Sequence, residues 1–123
     1  MLVVNFIDQY KNIWMKKNEL KILEELHEKT KRHPDRALFL SVIFQALVDV
    51  TKPININEKT SIKLMRDQAA SWFFASIGVT CENFEFICDS AGVDPKDIRK
   101  FAFHVVNSDK GGKIRTKILT LLG

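Results

Sequence analysis

Proline and glycine are scarce in this chain, three and five among 123 residues. That excludes collagen-like and Pro/Gly-rich low-complexity sequence and leaves few places where regular backbone must break. Cysteine is scarcer, with only Cys81 and Cys88. On one helix they stand two turns apart, too far for a disulfide, so a disulfide-stapled scaffold is excluded and both are read as reduced thiols of a cytoplasmic protein. No apolar run reaches the length of a bilayer span. The opening residues Leu2, Val3, Val4, Phe6 and Ile7 have no basic region ahead of them and meet Asp8 at once, which is not the pattern of a signal peptide.

Chemistry-bearing motifs are missing too. His27, His33 and His104 each stand alone, without metal-ligand spacing to another histidine or a cysteine. Gly111 and Gly112 lack the flanking strand and motif of a phosphate loop. A thiol nucleophile at Cys81 or Cys88 is a weaker reading than two buried structural thiols. Glu82, Glu85 and Asp89 read as a solvated helix face. Trp72, Phe73 and Phe74 read as packed core rather than a ligand-stacking box. The sequence therefore gives no catalytic set, no metal site and no cofactor, and points away from an enzyme.

What remains is an ordinary globular composition, 46% hydrophobic and 28% charged, in a length that suits one domain. Its periodicity is helical almost throughout. Phe6, Ile7, Tyr10, Ile13 and Trp14 recur at steps of three and four, and Leu20, Leu23 and His27 continue the stripe, with Asn18 placed to cap a second helix. So many large apolar groups need cover, from the rest of the domain or from a second copy in a homodimer. After a turn at residues 31–34, residues 37–50 are apolar nearly all round and are expected to form a buried central helix. Asn57 is placed to cap a helix over residues 58–76, ended by Gly78.

Residues 80–106 form the most informative stretch. Thr80 is placed to cap a helix whose apolar face is Phe84, Ile87, Cys88 and Ala91. Gly92 stands where a left-handed turn is needed, and Asp94, Pro95 and Asp97 are good residues for the start of the next helix. Ile98, Phe101 and Val105 give that second helix an inner face, and Lys96, Arg99 and Lys100 its outer one. This is a helix-turn-helix pattern, whose second helix lies in the major groove in DNA-binding versions. Asp94 and Asp97 would repel phosphate at that helix start. Residues 107–112 read as a hinge, and residues 113–122 as a basic arm or a short helix.

Charge is distributed unevenly. The chain is +4 overall, yet residues 96–123 alone carry +5 and residues 1–95 carry −1. The excess sits on Lys96, Arg99, Lys100, Lys110, Lys113, Arg115 and Lys117, where a polyanion would feel it.

The expectation is an all-α, compact domain of about five to six helices. It has a helix-turn-helix corner near its C-terminus at residues 80–106, within a unit spanning residues 1–107, and a basic segment at 108–123. The residues Ala69, Ala70, Ser71, Trp72 and Phe73, then Asn83 through Pro95, with Ile98 and Arg99, give residues 37–106 a pattern that resembles small phage-type helix-turn-helix proteins of bacteria. That group includes DNA-binding expression regulators of intracellular bacteria. The resemblance implies a DNA-binding transcriptional regulator, and twofold helix-turn-helix habits imply a homodimer on double-stranded DNA. The seven basic residues above are the candidate contacts, and no membrane is involved. The alternative is a helical protein–protein adaptor, or a phage-derived assembly protein, that uses the same corner without DNA.

Overall fold

The computed structural model describes residues 19–122. Within them the chain forms six helices and no strand: α1 Glu19–Arg32, α2 Pro34–Val50, α3 Thr60–Phe74, α4 Gly78–Ala91, α5 Pro95–Val106 and α6 Gly111–Leu122. The all-α expectation holds. The stripe from Phe6 to Trp14 and the cap at Asn18 lie outside the described residues. Among the described residues no helix is long and apolar enough to cross a membrane.

The axis of the fold is α2, which packs against α1, α3, α4 and α6. Pro34 opens it, with a fixed φ and no amide hydrogen to leave unpaired. At its other end Thr51 closes the last turn: its N–H and Oγ1 donate to Leu47 O at 3.1 and 2.7 Å, and Oγ1 also reaches Val48 O at 3.1 Å. Leu40, Ile43, Phe44, Leu47, Val48 and Val50 are buried. The expected central helix is thus present, but one side of it is open: Leu38 is 70% exposed and Val42 39%. Neighbouring helices cover only part of the circumference.

Two boundaries also differ from the sequence reading. Helix α3 starts at Thr60, because Asn57 is used in a turn, where its N–H donates to Asn55 Oδ1 at 3.2 Å. Arg66 grips Glu58 through both carboxylate oxygens, the Nη1–Oε2 arm at 2.9 Å, and also reaches Pro53 O at 3.4 Å. That grip holds the Glu58 carboxylate below its ordinary range and ties the loop to the helix. Gly78 opens α4 instead of ending α3. Its φ of +89° reverses the chain direction, and Thr80 falls inside the first turn.

The α4–α5 corner follows the sequence closely. Gly92 has φ +75° and ψ 29°, and Val93 N–H donates to Cys88 O at 3.0 Å across the left-handed turn. Asp94 accepts from Lys96 N at 2.8 Å and Pro95 begins α5. Cys88, Ile98, Phe101 and Val105 are all buried between the helices.

The segment after the hinge belongs to the same core. Ile114 and Ile118 of α6 are 1% and 0% exposed, packed with α1 and α2. Gly111 abuts Thr51, and Lys117 Nζ lies 2.6 Å from Glu24 Oε1.

Candidate nucleic-acid interface

The seven basic residues divide by what their side chains touch. On α5, Lys96 is exposed at the helix start, beside the exposed Asp94 and Asp97. Arg99 is turned inward, which corrects its assignment to the outer face. Its Nε–H donates to Phe73 O at 2.8 Å and an Nη2 hydrogen to Ala75 O at 3.3 Å. Its Cζ sits 4.9 Å from the centre of the Phe84 ring, a cation–π distance, and Nη2 is 3.9 Å from Cys81 Sγ. Phe73 and Ala75 mark the C-terminal end of α3, where carbonyls lack helical partners and the dipole favours a cation. Arg99 therefore closes the end of α3 from across the molecule. Lys100 is half-buried.

On and before α6, Lys110 and Lys117 face carboxylates of α1: Lys110 Nζ is 3.5 Å from Glu19 Oε1 and Lys117 is paired with Glu24. Lys113 is exposed and Arg115 half-exposed, and neither forms an ion pair among the described residues. Lys96, Lys113 and Arg115 are thus the cations whose charge is left for an outside partner.

One cluster gave no sequence signal. Glu19 and His104, 85 residues apart, are 6% and 8% exposed, with His104 Nε2 and Glu19 Oε1 at 2.8 Å. Burial pushes the Glu19 carboxyl up, but the His104 hydrogen bond, its own backbone N–H and the Lys110 charge outweigh it. The net direction is downward. No local pattern marks such a pair, because it exists only when α1 and α5 meet.

Of the aromatic residues of α3, Phe73 is core and Trp72 and Phe74 are partly buried against it. Phe73 is fully buried, and Trp72 meets Phe84 edge-on at 4.9 Å while its indole N–H donates to Asn83 Oδ1 at 2.8 Å. Both cysteines are free and buried, and burial pushes the Cys88 thiol up to about 12, so that thiol stays protonated. Among the described residues no three His, Cys, Asp or Glu side chains gather to hold a metal.

Compared with protein-family models, curated proteins and solved structures, the chain matches none. Its own geometry therefore carries the functional reading.

Proposed function

We propose that this chain is a DNA-binding regulator that acts as a homodimer and holds duplex DNA mainly by its phosphates. The observation that supports this reading is the +5 charge of residues 96–123, on which Lys96, Lys113 and Arg115 have no carboxylate partner among the described residues. The resemblance of residues 37–106 to phage-type regulators points the same way. Arg99 is occupied within the domain, and Asp94 and Asp97 repel phosphate at the start of α5. Phosphate contact from α5 and α6 thus takes precedence over base reading by Arg99. Lys110 and Lys117 contribute less, being shared with Glu19 and Glu24.

The test is binding to random-sequence duplex over a salt series. Affinity should fall steeply with salt, since each neutralised phosphate releases about 0.9 counterion. Lys113→Ala with Arg115→Ala should lower the slope by up to about two per chain and leave the melting temperature unchanged. A folded protein that binds no duplex at low salt ends the proposal. Light scattering should report twice the 14.2 kDa chain mass, and a monomer at tens of micromolar removes the dimer. The second reading, a helical adaptor, is favoured by a different observation: an apolar groove left open between α2 and α3.

A further inference from the structure

Exposed apolar side chains are ordinary when scattered, but here several line one channel. Helix α2 presents Val42 and Ala46, and α3 faces them with Met65, Ala69 and Trp72, around an open groove of about 540 Å³. Val42 and Met65 are 39% and 40% exposed. The indole N–H of Trp72 is already satisfied by Asn83, so that residue needs no polar partner from outside. Asn83 leads, one turn on, to Phe86 of α4. Phe86 is 60% exposed and meets Phe39 of α2 edge-on at 6.2 Å. Phe39, Val42 and Ala46 stand at helical spacing on α2, so the aromatic pair prolongs the line of the groove.

At the α4 end of this line the exposed charge has one sign, whereas at the far end Lys52 Nζ lies 3.7 Å from Asp49 Oδ1 and 3.9 Å from Met65 Sδ. No lysine, arginine or histidine occurs between Arg66 and Lys96. The exposed face of α4 that carries Phe86 also carries Glu82 and Asp89, and neither forms an ion pair among the described residues. On a chain of net charge +4 this is a local reversal. A groove walled by two helices accepts a third through anchors at i, i+3, i+4 and i+7. Flanking carboxylates favour cations on that third helix. The basic helix of a second copy is poorly suited, because α6 already buries Ile114 and Ile118 in its own core.

We propose that the α2–α3 groove, prolonged by Phe39 and Phe86, docks an amphipathic helix of another protein that carries lysines or arginines beside its apolar stripe. The proposal is independent of DNA contact by the basic end of the chain.

The probe is a fluorescein-labelled synthetic helix, about five turns long, with leucine and tryptophan on one stripe and lysine elsewhere. Two controls accompany it: the same stripe with glutamate replacing lysine, and a scramble without a stripe. The lysine helix should bind the full chain at least about tenfold more tightly than either control. Amide shifts should cluster at Val42, Met65 and Phe86 and at the Trp72 indole N–H. Val42→Glu with Phe86→Ser should weaken binding about tenfold with an unchanged melting temperature. Should that variant melt early, the exposed pair Glu82→Lys with Asp89→Lys replaces it, and must weaken the lysine helix and favour the glutamate one. Equal binding of the scramble, absence of binding, or shifts confined to other surfaces overturns the proposal. So does self-association that Val42→Glu abolishes, which would give the groove to a second copy.

Discussion

Replacing Arg99 with alanine separates two roles that the sequence could not tell apart. As a base-reading side chain, Arg99 would be dispensable for folding. In the structure its guanidinium donates to Phe73 O and Ala75 O and lies over the Phe84 ring. A hydrogen bond from a charged donor contributes about 1.5–3 kcal/mol, and a partly desolvated cation–π contact about 0.5–2 kcal/mol. The three contacts share one group and do not add, and water reaches some of the freed carbonyls. A loss of about 2–4 kcal/mol follows for Arg99→Ala, which for a domain of this size lowers the melting temperature by roughly 8–16 °C. Arg99→Lys should recover only part of it, because an ammonium cannot span both carbonyls as the planar fork does. Thermal and urea melts followed by circular dichroism read the effect. A melting temperature within about two degrees of the wild type would refute the inward role, and a selective loss of affinity for one DNA sequence would restore the base-reading one.

Three further outcomes follow from the packing. Gly92→Val should cost about 1–3 kcal/mol in urea melts, because φ is +75° and a β-branched residue is strained there, while the Arg36 guanidinium beside the new Cβ can swing aside; Gly92→Asn should cost much less, since asparagine tolerates that backbone. Ile118→Ala should cost about 2–5 kcal/mol, whereas a side chain on a detached arm would cost nothing measurable. The Glu19 carboxyl is held below the ordinary carboxylate range, so its contribution is present above that range and is lost as pH falls through the lower folded value; Glu19→Gln should flatten this acid limb of the stability curve, and an unchanged limb would show that the His104 contact contributes nothing.

Local signals were legible where the chemistry is local. Gly92, Asp94 and Pro95 each specify a backbone state within a few residues, and the α4–α5 corner forms where they put it. The inner faces of both helices follow from spacing alone. Asn57 and Thr80 are equally good capping residues by type, but caps compete with turns. Asn55 and Gly78 decided those competitions through a side-chain bond and a positive φ that no periodicity reports. The direction of Arg99 was not legible either. Its carbonyl partners lie 24 and 26 residues earlier, and they become reachable only once the end of α3 rests beside α5. The exposed line along α2 was hidden by composition, since an all-apolar helix does not say which of its sides will lack a neighbour.

The pairing of α1 with α6 sets an order on how the chain can assemble. Glu24 meets Lys117, and Glu19 meets His104 and Lys110, so the first described helix is secured by residues that leave the ribosome some ninety positions later. Until then α1 can pack only on α2, its neighbour in sequence, and closing so long a loop to α6 carries an entropy cost that only the completed contact offsets. The four helices from α2 to α5 make contacts nearer in sequence and can gather first. Native-state hydrogen exchange would then find α1 and α6 opening together, as one cooperative unit, ahead of the α4–α5 corner.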